Sequence, residues 1–284
     1  MKLSIEIAQI SISFVFDKKS VLFYKKIKER YFGFLTDKSQ FTVNLYQISE
    51  VILRKIYIKR EPLIICGEGF IFEQTSPLSG NLFIKENIYF FENFLRIFIS
   101  QKLMTSGDFL IHSAGIFHKG YSILFPGKSG SGKTTLSTML CGDFEIMSDE
   151  ICAVVRKRDV FYLFSTPFWG GFKKPACKNL SGKLTGVFFL KKSRDVNLKT
   201  VSQAFYFKNI MKTIINFSSS ETSKRIFLLA ERIYKKVPTY LFGFSLRDYD
   251  YLRMLIYSFF EDQKNSYSKK KEVCKVCSDH KKHN

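Results

Sequence analysis

The chain has 284 residues, 45% hydrophobic and 25% charged, enough for one large domain or two small ones with a proper core. Its formal net charge of +20 attracts polyanions in general. The cations are spread over Lys25–Arg30, Arg54–Arg60, Arg156–Arg158, Lys173–Lys178 and the tail, however, so no arginine stripe argues for nucleic acid, and no apolar run nears the ~20 residues of a membrane span.

The N-terminus opens with one Lys and an apolar stretch, but Glu6 and Gln9 interrupt it and no small-residue cleavage site follows, which argues against a signal peptide. Leu3, Ile5 and Ile7, then Ile10, Ile12, Phe14 and Phe16, alternate as in a strand over 3–16. A helix near 20–32 comes next. Short strands near 41–46, 51–58, 63–66, 69–74 and 82–85 are separated by Pro62, Gly67, Gly69, Pro77 and Gly80, as expected of an antiparallel meander. Tyr89, Phe90, Phe94, Ile97 and Phe98 recur at helical spacing and predict a helix at 87–104.

The centre changes character. Residues 109–117 and 121–125 read as two strands joined at Lys119-Gly120, and the second runs into a glycine-rich loop. A helix from Gly132 to about Leu140 stops at Gly142, and 144–147 makes another strand. Residues 151–155 and 160–164 pair as a hairpin. Beyond lie a loop at 165–180, a strand at 184–190, helices near 201–217 and 221–235, a strand at 239–244 and a helix near 246–260. Residues 261–284 are polar and lysine-rich and are expected to be disordered. The resulting organisation is a strand-rich region at 1–105 packing on a core at 106–260, with a basic tail at 261–284.

The glycine-rich loop carries the strongest signal. Gly127-Lys128-Ser129-Gly130-Ser131-Gly132-Lys133-Thr134, followed by Thr135, fits G-x-x-x-x-G-K-[ST] at every fixed position, with a strand before it and a helix after. Such glycines let successive backbone N–H groups turn inward onto phosphate oxygens, and the helix presents its positive end to the same anion. Lys133 can then reach the β- and γ-phosphates, and the Thr134 hydroxyl can ligate Mg²⁺.

Two further features stand close by. Asp149-Glu150 ends the next strand, which places the pair beside the loop at the carboxyl end of its neighbour. A carboxylate there can take the proton of an attacking hydroxyl or help to hold Mg²⁺. His112 lies on the strand before the loop strand and approaches the phosphates if the two pair as a hairpin. A histidine in an apolar strand is more often a satisfied core residue.

His112-Ser113-Ala114-Gly115, the 127–134 loop and Asp149-Glu150 together resemble the HPr kinase/phosphorylase family, in its short form, whose catalytic core is related to phosphoenolpyruvate carboxykinase. That family carries an H-G or H-x-x-G strand, a short strand, G-x-S-G-x-G-K-[ST], a helix and a terminal acid pair. The resemblance is specific over 109–155; the second acid is Glu150 where the family has Asp, and a downstream E-x-R-G-x-G segment is missing. It implies an α/β fold with α+β character at the N-terminus, built on a PEP carboxykinase-like P-loop core with a mixed sheet. It also implies ATP and Mg²⁺, with Lys133 on the phosphates, Thr134 and Asp149 on the metal, His112 in the active site, and either Asp149 or Glu150 as proton acceptor.

The function so implied is a cytoplasmic kinase that phosphorylates a Ser or Thr hydroxyl of a protein or peptide, in keeping with family members associated with peptide-modification pathways. Competing readings are a kinase of a small metabolite and a non-catalytic nucleotide-sensing module. Nucleic acid and membrane are not expected as partners, and the oligomeric state, a homo-oligomer included, stays open. Ser165-Thr166-Pro167-Phe168-Trp169-Gly170-Gly171-Phe172 either grips an acceptor with exposed aromatics or anchors Phe168 and Trp169 in the core. Cys274, Cys277, His280 and His283 offer four zinc ligands without the long insert of a finger. Cys66, Cys141, Cys152 and Cys177 read as ordinary buried thiols, consistent with a reduced compartment.

Overall fold

The structure is a computed structural model that describes residues 1–50, 55–171, 178–215, 220–245, 247 and 249–262. It is a mixed α/β molecule built on two sheets, each with parallel and antiparallel pairs.

The expected strand at 3–16 is a hairpin, β1 (Lys2–Ile7) and β2 (Ile10–Phe16), antiparallel through Ile7↔Ile10. The apolar alternation switches parity across Ala8 and Gln9, and that slip is the turn: both have positive φ, 50° and 70°, as two-residue hairpin turns require. Helix α1 (Val21–Arg30) then leads to β3 (Phe41–Gln47), which pairs parallel with β2. β4 (Tyr57–Arg60), β5 (Leu63–Gly67), β6 (Phe70–Ser76) and β7 (Ser79–Ile84) are antiparallel neighbours. The simple meander is overturned at β7, which inserts beside β3 in parallel and gives the order β1-β2-β3-β7-β6-β5-β4. Of the strand expected at 51–58, residues 51–54 lie outside the described residues.

Helix α2 (Ile88–Thr105) covers this sheet. Asn87 caps it by accepting from the Tyr89 N–H at 2.8 Å. Phe94 is fully buried and its ring meets those of Phe14, Phe70, Phe72, Phe91 and Phe98. The same core continues through Ile151, Ala153 and Val155 of the second sheet and Phe168 of the loop after β12, so α2 is a layer shared by both halves.

The second sheet is organised around β8 (Phe109–His118). One edge of β8 pairs with β10 (Glu145–Ser148) and β11 (Ile151–Lys157), the other with β9 (Tyr121–Pro126) and β15 (Ile214–Ile215). β11 pairs with β12 (Val160–Phe164), and β12 with the start of β13 (Ser181–Lys192), which also lies parallel to β9. β16 (Thr239–Phe244) continues parallel to β13, and β14 (Asn197–Thr200) closes the edge.

Helix α3 (Lys133–Leu140) and helix α6 (249–262) pack on one face through Leu136, Leu140, Leu252 and Ile256. Helices α4 (Gln203–Ile210) and α5 (Ser220–Lys236) pack on the other through Tyr206, Ile210, Leu229 and Ile233. The single helix expected over 201–217 ends at Ile210. A turn follows and β15 pairs with β8, because two β-branched residues find an open strand edge there. No helix among the described residues is long and apolar enough to cross a membrane. The Cys/His tail and Cys177 lie outside the described residues; Cys152 is buried, whereas Cys66 and Cys141 are half-buried.

Candidate functional site

β8 and β9 form the expected hairpin, turning at Lys119 and Gly120, both with positive φ (48° and 88°). β9 delivers the chain at Pro126 into the glycine-rich loop, and α3 begins at Lys133. Gly132 is the hinge between them. Its φ of 100° favours glycine, and a Cβ there would stand 2.8 Å from the Phe244 ring.

The Lys133 ammonium folds back and donates to the Gly127 and Lys128 carbonyls, each at 2.8 Å, so it ties the loop's start to its end. Burial is the main influence pulling its pKa below the ordinary lysine value, opposed by Asp149 and Glu150. Two of its three N–H bonds are spent on the loop.

Asp149 and Glu150 form the turn between β10 and β11. β10 is not the neighbour of β9, since β8 lies between them, yet the acids still reach the loop. Thr134 Oγ1 donates to Asp149 Oδ2 at 2.9 Å, and the Gly170 N–H donates to Asp149 Oδ1 at 2.9 Å. The Ser148 hydroxyl shapes the turn. It accepts from the Glu150 and Ile151 N–H groups at 3.1 and 3.0 Å and donates to the Phe168 carbonyl at 3.1 Å.

Phe168 is buried, so it is a core anchor rather than an exposed grip, while Trp169 is half-buried and 172–177 lie outside the described residues. The anchored segment brings Gly170 and Gly171 over Asp149 and Thr134. A Cβ on Gly170 would stand 3.2 Å from Asp149 Oδ2, and one on Gly171 3.6 Å from the Thr134 methyl.

Glu150 faces a partner that sequence reasoning missed. Arg96 of α2 donates to both of its carboxylate oxygens, at 3.4 and 3.3 Å, and to Glu92 Oε1 at 2.7 Å. Glu92 in turn accepts from Arg30 of α1 at 2.9 Å. The Arg96 guanidinium also lies over the Phe168 ring, 5.4 Å from its centroid. In the sequence, Glu92 and Arg96 both lie in the helix expected at 87–104, and nothing local points to Glu150.

His112 opens into the same cleft. Its backbone N–H donates to the Thr213 carbonyl at 2.7 Å, and its carbonyl accepts from the Gly127 N–H at 3.1 Å. Desolvation by the cleft walls is the largest influence on its imidazole and lowers the pKa below 6.5; Glu150 pulls upward, while Lys133 and Arg96 push down.

These residues line one cleft of about 740 Å³. It gathers His112, Lys128, Ser129, Gly130, Gly132 and Lys133 with Thr134, Thr135, Asp149 and Glu150. Gly127 and Ser131 sit on the far side of the loop, in an adjoining cavity of about 290 Å³. Lys192 and Lys212 complete the cleft wall; as lone lysines far along the chain they carry no motif.

A protein-family model described as SynChlorMet cassette protein ScmC matches residues 86–249, more than half of the chain. The chain belongs to the ScmC family. The ScmC match begins just before α2 and so takes in Arg96 with every cleft residue, and it leaves the first sheet outside. A search of curated proteins gives no match.

Proposed function

We propose that the chain is an ATP- and Mg²⁺-dependent kinase with a PEP carboxykinase-like P-loop core, related to the HPr kinases, that phosphorylates a Ser or Thr hydroxyl of a protein or peptide. One observation carries the reading: Asp149 is hydrogen-bonded to Thr134 at the head of the helix that follows a G-x-x-x-x-G-K-T loop, with Glu150 in the same cleft. Loop amides, the start of α3 and Lys133 suit the phosphates. Thr134 Oγ1 and Asp149 Oδ2, already 2.9 Å apart, fit a small cation that prefers oxygen ligands. When bound there, Mg²⁺ neutralises phosphate oxygens.

The two acids then divide the work. Asp149 has one oxygen fixed by the Gly170 N–H and the other on Thr134, which suits a ligand. Glu150 is turned into the cleft beside His112 and suits the base. The acceptor oxygen bonds to the γ-phosphorus, the bond to the β–γ bridging oxygen breaks, ADP leaves, and the hydroxyl proton passes to Glu150. Most of the rate comes from positioning and charge complementarity.

The test is transfer from γ-labelled ATP to a Ser/Thr peptide library and, separately, to a metabolite extract. Label on peptide and not on metabolite supports the reading, and label confined to a metabolite replaces it with the small-molecule kinase. An Asp149→Asn/Glu150→Gln double variant is expected to lose transfer yet still bind ATP. Transfer retained in that variant refutes the assigned roles. Nucleotide binding by the wild type with no transfer to either pool leaves the nucleotide-sensing module.

A further inference from the structure

The cleft holds four lysines (Lys128, Lys133, Lys192 and Lys212) against two carboxylates, and the 127–134 motif accounts for only Lys133. Among the described residues no carboxylate lies within ion-pair distance of Lys128, Lys192 or Lys212, and all three are exposed at the cleft wall.

Lys212 has a defined place. Two backbone hydrogen bonds run in a row across β8, from Gly127 N–H to the His112 carbonyl and from His112 N–H to the Thr213 carbonyl. They bring the α4–β15 turn against the first residues of the loop. Lys128 and Lys212 also line the adjoining cavity, together with Gly127 and Thr213. Thr134 and Thr135 lie at the other end of the loop, where α3 starts. The loop therefore has an α3 end and an opening end, and Lys128 and Lys212 lie at the opening end, beside the His112 backbone.

We infer that Lys212, acting with Lys128, grips the terminal phosphate of a nucleoside triphosphate and is the residue by which the protein distinguishes a triphosphate from a diphosphate. This rests on the functional reading above and extends it. A phosphate chain lying along the loop has its inner phosphates at the amides and at the helix start, where the positive helix end favours them. Its outer phosphate reaches the opening end, where an ammonium group without a carboxylate partner forms a charge-assisted hydrogen bond at no cost of breaking an existing pair. A diphosphate leaves Lys212 in water and loses nothing when it is removed.

Calorimetric titration of the full chain with MgATP and with MgADP tests this without needing an acceptor. Lys212→Met is expected to weaken MgATP about tenfold and MgADP less than about twofold, with Lys212→Arg recovering most of the loss. Lys133→Ala is expected to weaken both nucleotides. An unchanged thermal midpoint in Lys212→Met establishes that the exposed substitution leaves the fold intact. Equal weakening of both nucleotides by Lys212→Met, or of neither, overturns the assignment while leaving nucleotide binding standing. A wild-type protein that binds neither nucleotide removes the functional reading itself, and this inference with it.

Discussion

Thr134 Oγ1 and Asp149 Oδ2 meet at 2.9 Å although they arrive from different elements, the helix after the loop and the turn after the next strand. The Gly170 N–H holds the other Asp149 oxygen, so three chain segments converge on one carboxylate. On the proposed reading this is the divalent-ion locus. Asp149→Asn and Thr134→Ala are each expected to remove the Mg²⁺ dependence of nucleotide binding and to slow transfer by on the order of 10²-fold or more. Titration of ATP with and without Mg²⁺ checks it: a variant whose ATP affinity still rises with Mg²⁺ as in the wild type places the ion elsewhere.

Arg96 ties Glu150 to the helix shared by both sheets and, through Phe168, to the segment that carries Gly170. On the proposed reading, removing it frees the Glu150 carboxylate to turn away from the acceptor hydroxyl. Arg96→Gln is expected to lower kcat by about 10-fold to 10²-fold with little change in the KM for ATP, since the substitution leaves the loop untouched. Arg96→Lys is expected to restore only part of the loss, because an ammonium group cannot match the two-oxygen geometry. Steady-state kinetics decide it, and a rise in KM for ATP alone would instead make Arg96 a nucleotide-binding residue.

His112 is kept below the ordinary histidine pKa chiefly by desolvation, with Glu150 pulling it up and Lys133 and Arg96 adding to the depression. Glu150→Gln removes the upward pull and is expected to lower the value further, whereas Arg96→Gln removes a repelling cation and is expected to raise it. Proton NMR titration of the assigned His112 ring resonance measures both shifts. The same direction of shift in the two variants would contradict the arrangement of charge around the ring.

Much of the loop and its flanking elements was legible from local pattern. The Lys119-Gly120 turn, the apolar β9 and the glycine spacing all act within a few residues. The hairpin at Ala8-Gln9 was missed, because the run reads as one strand over 3–16, although the parity slip from Ile7 to Ile10 marks the turn. What stayed hidden depends on long-range pairing. β7 chooses β3 as a parallel neighbour through contacts with no local cost or signature, and Ile214-Ile215 leaves a helical context because β8 has an open edge. Arg96, Lys192 and Lys212 join the cleft only through tertiary placement: the sequence places Arg96 and Lys212 in ordinary expected helices and Lys192 just past a strand end.

Asp108 offers a test of the fold that is independent of the cleft. It lies buried just before β8, where its Oδ1 accepts from the Arg156 N–H at 2.8 Å, and burial outweighs that bond and raises its pKa from 3.8 to about 6. The folded state therefore holds this proton more tightly than the unfolded chain. Its contribution is greatest below about 4, declines as pH rises from about 4 to about 6, and is gone above that, where a buried charge must be maintained. Asp108→Asn keeps an acceptor for Arg156 without the charge. The variant is expected to melt at a higher temperature than the wild type at pH 8 and to show no advantage at pH 4. Thermal unfolding of both proteins at the two pH values measures the difference directly. A larger advantage at pH 4 than at pH 8 would mean that the carboxylate is stabilised as an anion, opposite to what its burial dictates.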